Sequence, residues 1–123
     1  MKEEIRTPKA PEPSGPYSQG IKAGNRIYVA GQRPYNVETG VMPEDIRGQC
    51  RQVLENVRHI LEAGGATMDH VARVSVYLEK VEDFAVFNEV YTEFFSKPYP
   101  VRTTICCSLR GQKRVEVDCI AEL

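Results

Sequence analysis

No C-x-x-C pair occurs among the four cysteines (Cys50, Cys106, Cys107 and Cys119), and neither histidine, His59 or His70, has a cysteine or acid at ligand spacing. The chain therefore lacks the signature of a zinc site. Its cysteines read as small buried hydrophobes in a reducing compartment. No apolar run approaches membrane-spanning length, and Met1-Lys2-Glu3-Glu4-Ile5-Arg6 has no signal-peptide core, so a cytoplasmic location is expected. Neither sign of charge dominates: 16 Lys+Arg against 17 Asp+Glu leave a net charge of −1. A dedicated nucleic-acid binder would show a basic excess or stripe, so nucleic acid is an unlikely partner. A Ser/His/Asp order, a phosphate loop and a nucleophile elbow are also missing.

What is present suits one α/β domain over residues 1–123, with 41% hydrophobic and 27% charged residues. Thr7 to Pro16 is proline-rich and reads as an extended entry segment. Ser18–Ala23 and Arg26–Ala30 read as strands around a Gly24-Asn25 turn, and Gly31 to Pro43 as a loop. Ile46, Cys50, Val53, Leu54, Val57, Ile60 and Leu61 form a helical stripe over Glu44–Ala63, with Glu44 and Asp45 at its positive end and Gly64-Gly65 at its stop. Val71–Leu78 alternates as a strand, and Glu82–Phe95 forms a second helix. Arg102–Ser108 and Val115–Ala121 are the last strands. The order β-β-α-β-α-β-β predicts a mixed sheet with two helices on one face. Two helices cannot cover both faces, so the other must be wet or covered by another subunit.

Arg102 is the residue in most need of an explanation. It lies in a β-branched run, Val101-Arg102-Thr103-Thr104-Ile105, on one face with Thr104 and Cys106. A guanidinium there must reach water or an anion, and its planar fork suits a carboxylate. It is either a solvent-facing strand arginine paired with an acid or a clamp for a small carboxylic acid. Glu116 and Asp118, alternating on the final strand, are a solvated face, partners of Arg102, or a carboxylate that holds a water. Asn88 falls on the stripe of Phe84, Tyr91 and Phe95, where an amide needs hydrogen-bond partners. Tyr17 follows a Gly15-Pro16 turn that presents its hydroxyl.

Gly15-Pro16-Tyr17-Ser18-Gln19, Gly31-Gln32 with Pro34 and Thr39-Gly40, Gln52 through Asn56, Asp83-Phe84 with Asn88, Tyr91 and Phe94-Phe95, Pro100-Val101-Arg102-Thr103, and Val115-Glu116-Val117 follow one another in an order that resembles the RidA/YjgF family of reactive intermediate deaminases. The resemblance implies an α+β, chorismate-mutase-like fold that assembles as a homotrimer, with the final strand antiparallel between earlier strands and sites in clefts between subunits. It implies hydrolysis of 2-imino or enamino acids, such as 2-iminobutanoate and 2-iminopropanoate, to 2-keto acids and ammonia. Arg102 would clamp the substrate carboxylate. Backbone groups at Gly31 and Thr104 would hold the substrate, and Asn88 would shape the pocket. Tyr17 and Glu116 would position a water, Glu116 assisting proton transfer. No metal or organic cofactor is implied.

Four features depart from the family pattern. Ala30 replaces a hydroxyl residue, Thr104 a frequent cysteine and Arg33 an apolar residue, while Leu109-Arg110-Gly111-Gln112 stands where Leu-Pro is common. They bear on substrate range more than on fold. Two rival functions stay open. One is non-catalytic binding of a 2-keto acid or similar carboxylate in the same cleft. The other is the ribonuclease or translation-inhibitor activity that some relatives carry, against which the neutral charge speaks.

Overall fold

In a computed structural model covering residues 1–123, six strands form one mixed sheet. They are β1 (Lys2–Ile5), β2 (Gly20–Ala23), β3 (Arg26–Gln32), β4 (Val71–Leu78), β5 (Val101–Cys106) and β6 (Val115–Glu122), and the helices are α1 (Ile46–Ala63) and α2 (Phe84–Phe94). The sheet order is β1-β2-β3-β6-β4-β5. β4 and β5 are parallel, and the other pairs are antiparallel. β6 therefore fills the gap between β3 and β4 and makes no hairpin with β5, as the family resemblance implies and chain connectivity does not.

The α1 stripe is buried along its length, from Cys50 and Val53 to Ile60 and Leu61. Its first turn is capped by Asp45, whose carboxylate accepts from the Gly48 N–H at 3.1 Å. At its far end Gly65 adopts φ +89°, a left-handed conformation that favours glycine. The helices pack on Ile27, Val29, Val74, Val76, Leu78, Val115, Val117 and Cys119, all within one core cluster of 24 buried residues. Each fully buried aliphatic side chain contributes about 1.5–3 kcal/mol, so this face dominates the stability. The opposite face carries half-buried Ser75, Tyr77, Glu116, Asp118 and Ile120, and exposed Tyr28, Val101 and Ile105. No helix packs there.

Several expectations need correction. A sixth strand, Lys2–Ile5, joins the five expected: three of its four side chains are exposed, and its order comes from pairing with β2. The last two strands begin or end a residue or two from where alternation places them, and β5 stops at Cys106. Only Cys50 and Cys119 are buried hydrophobes. Cys106 and Cys107 are exposed at the end of an edge strand.

Buried amides tie the irregular segments down. The Gln19 side chain accepts from the Thr7 N–H at 2.7 Å and donates to the carbonyls of Thr7, Ala10 and Pro11, fixing the entry segment. Fully buried Asn56 donates to the Arg33 and Tyr35 carbonyls at 3.0 and 2.9 Å, fixing the long loop after β3. These bonds satisfy backbone groups that no strand partner reaches.

Candidate active site

Arg102 points to the helix side of the sheet. It is level with core residue Val74 on β4. Its Nη2 donates to Asn88 Oδ1 on α2 at 2.7 Å. The guanidinium carbon lies 4.8 Å from the Tyr91 ring centroid, 5.6 Å from that of Phe87 and 5.7 Å from that of Phe84. Three aromatic faces and one amide oxygen stabilise the cation without neutralising it. It makes no salt bridge, while eight other ion pairs form in the molecule. Asn88, Tyr91, Thr92, Tyr99, Pro100 and Arg102 line an open pocket of about 310 Å³. A half-buried guanidinium that faces a pocket with no carboxylate beside it has the donors and the charge to receive an anion.

The Tyr91 hydroxyl is buried with no hydrogen-bond partner, and so is Thr104 Oγ1 on the same face of β5 as Arg102. Burial pushes the Tyr91 hydroxyl up to about 12, against the opposing pull of Arg102. Tyr91 belongs to an aromatic stripe that reads as packing, so its place on the pocket wall is hidden in the sequence.

Tyr17, Gly31 and Glu116 meet elsewhere. With Ser14, Ala30, Arg33, Arg110 and Lys113 they line a second recess of about 430 Å³. Glu116 pairs across the sheet with Tyr77, while its neighbours Val115 and Val117 are buried on the helix side. Glu116 thus lies on the uncovered face, opposite Arg102. Lys113 Nζ is 3.1 Å from Glu116 Oε1. Between Val29 and Gln32, Ala30 and Gly31 oppose a single β6 residue, Asp118. Within this bulge the Ala30 N–H donates to the Gln19 carbonyl at 2.9 Å and the Ala30 carbonyl accepts from Gln32 Nε2 at 3.1 Å, which fixes the strand where it passes Glu116. An added Cβ at Gly31 would overlap Glu116 Oε2, so only glycine lets the carboxylate lie against the strand.

Tyr17 is 48% exposed. Its oxygen accepts from the Ser14 N–H at 3.1 Å and lies 3.3 Å from the Ser14 hydroxyl. These two bonds hold its acidity above the ordinary phenol's. Arg33 adds to that effect and Glu116 opposes it. Asp118 is no partner of Arg102 either: it accepts from the Tyr77 hydroxyl at 3.1 Å, and burial raises its carboxyl.

The two groups are joined through the scaffold. Asp83, 3% exposed at the start of α2, receives Arg114 Nε at 3.0 Å and Nη2 at 2.6 Å. The Arg114 N–H donates to Gln49 Oε1 on α1 at 2.9 Å. This bidentate pair fixes the helix that carries Asn88 against the strand that carries Glu116. Asp83 reads only as part of a family stretch in the sequence, and Arg114 is not singled out there. No three His, Cys, Asp or Glu side chains converge on a common point, and no helix is long and apolar enough to cross a membrane.

Comparison with known proteins gives a consistent result. Residues 7–123 match the family model described as Endoribonuclease L-PSP. A RutC family protein of Pyrococcus horikoshii is 48% identical over 123 residues, covering 98% of each chain. A 2-iminobutanoate/2-iminopropanoate deaminase of Dermatophagoides farinae is 40% identical, covering 94% of this chain and 92% of its own. The crystal structure of Escherichia coli TdcF with bound serine superposes with a TM-score of 0.94 at 34% identity, covering 98% of each chain.

Proposed function

The chain belongs to the RidA/YjgF family, and from that premise we propose that it hydrolyses small reactive 2-imino or enamino acids to 2-keto acids and ammonia. The observation that carries the reading is the unneutralised Arg102 guanidinium in its aromatic pocket. One Nη2 proton is spent on Asn88, which fixes the plane of the fork and leaves its other donors for a carboxylate. Clamped there, the substrate presents C2 in one orientation. Water adds to C2, the C–N bond breaks, and ammonia leaves as the carbonyl forms. Glu116 takes a proton from the attacking water and delivers it to the nitrogen, so that the group leaves as ammonia. Tyr17, whose oxygen accepts from Ser14, keeps its own proton to hold that water or the substrate nitrogen.

Arg102 and Glu116 lie on opposite faces of one sheet, so a complete site joins the Arg102 pocket of one copy to the Tyr17–Gly31–Glu116 recess of another. A homotrimer built on the uncovered sheet face meets that need, and covers Tyr28, Val101 and Ile105.

The test couples the protein to a dehydratase that generates 2-iminobutanoate or 2-iminopropanoate. Faster keto-acid release than in buffer, abolished by Arg102→Ala, is expected. No acceleration by the wild type would sink the reading. A second reading is favoured by one observation: Lys113 partly neutralises Glu116 at 3.1 Å, which weakens it as a base. The chain would then bind 2-keto acids without turnover, and saturable binding with no imine hydrolysis would establish that.

A further inference from the structure

Two residues that depart from the family pattern at distant points of the sequence meet in the Glu116 recess. Arg33 follows the β3 bulge, and Arg110 lies in the loop before β6; both line the recess with Tyr17, Gly31 and Glu116. With Lys113 they place three cations around one carboxylate, in a chain whose net charge is −1. Lys113 is engaged by Glu116. Arg33 and Arg110 form no ion pair. Glu12, the acid that lines the adjoining crevice with Arg33, is held by Arg6 at 2.7 Å. Arg33 lies with its guanidinium carbon 5.5 Å from the Tyr35 ring centroid, supported but uncompensated. A substrate with one carboxylate, already held by Arg102, leaves both arginines unused.

Resting on the imine-hydrolase reading above, we propose that Arg33 and Arg110 form a subsite for a second acidic group, so that the preferred substrate is a small 2-imino dicarboxylate. Arg102 takes the carboxylate next to C2, and the arginine pair takes the distal one. The chemistry is unchanged: water oxygen bonds to C2, the C–N bond breaks, and ammonia and a 2-keto dicarboxylate are released. An extended polyanion fits less well, because the positive charge is confined to one recess and does not run along a face.

The experiment compares kcat/KM for 2-iminosuccinate and 2-iminopropanoate, each generated in situ from its amino acid by an amino-acid oxidase. The comparison uses wild type and the Arg33→Gln/Arg110→Gln pair. Calorimetry with 2-oxoglutarate and 2-oxobutanoate runs in parallel. The wild type is expected to favour the dianion about tenfold, in turnover and in binding, and the pair variant to lose that preference. Equal preference for the two imines, or a preference that survives in the variant, overturns the subsite and leaves the hydrolase reading standing. Absence of turnover with a retained, Arg33/Arg110-dependent preference for 2-oxoglutarate supports the subsite and removes the reaction. Salt-steep RNA binding lost in the variant, without any dianion preference, overturns the subsite in favour of a phosphate contact.

Discussion

At the Arg102 pocket one charge stands alone among aromatic rings. At the Glu116 recess, on the other face of the same sheet, charges are numerous and partly cancelled. The pocket has a neutral wall, an orphaned Tyr91 hydroxyl and a cation whose strength is kept by the absence of an acid. The recess has a bulged strand, a carboxylate pressed on a glycine and a phenol on a turn. The first arrangement is suited to holding an anion still, the second to handling water and protons. On the proposed reading, binding and chemistry are divided between two surfaces of the chain, and the Asp83–Arg114 pair ties the elements that carry them.

The most damaging way to break this division is Arg102→Ala, which should cost about 10³-fold in kcat/KM through loss of a charge-assisted, bidentate contact. Arg102→Lys should recover only part of it, because a point charge does not reproduce the fork. Glu116→Gln should lower kcat by about 10²-fold with a smaller effect on KM, since proton transfer and not substrate capture is lost. Asp83→Ala leaves the Arg114 guanidinium without its carboxylate and should lower unfolding free energy by about 2–3 kcal/mol in denaturant titration. Because that pair touches both α2 and β6, it should impair binding and turnover together, unlike either site substitution. The smallest effect is expected for Tyr91→Phe. Removing an unsatisfied buried hydroxyl should raise stability by up to about 1 kcal/mol. A simultaneous rise in KM would show that ligand supplies its missing partner.

The helices and the core strands are legible in the sequence because their apolar spacing is long and regular, as in Cys50–Val53–Val57–Ile60 and Val74–Val76–Leu78. β1 is not, since Lys-Glu-Glu-Ile has no periodicity and gains its structure from β2. The central place of β6 follows from family resemblance and not from spacing, because register is a long-range property. Arg102, Asn88, Tyr17 and Glu116 stand out as polar residues, while Gly31 and Thr104 enter only through the family resemblance. Their separation onto two faces is not legible, because alternation within β5 and within β6 says nothing about how the two strands are placed. Gln19, Asn56 and Asp83 are hidden because an amide or acid inside a mostly polar stretch has the same pattern whether it is buried or solvated.

The central claim, that the Arg102 pocket and the Glu116 recess complete one site across two copies, is tested most directly by complementation. Arg102→Ala and Glu116→Gln chains, each strongly impaired alone, are unfolded together, refolded and assayed for imine hydrolysis. The account predicts that the mixture regains a substantial fraction of wild-type activity, because some interfaces pair an intact pocket with an intact recess. Mixed assemblies that form but stay as impaired as the separate variants would contradict it.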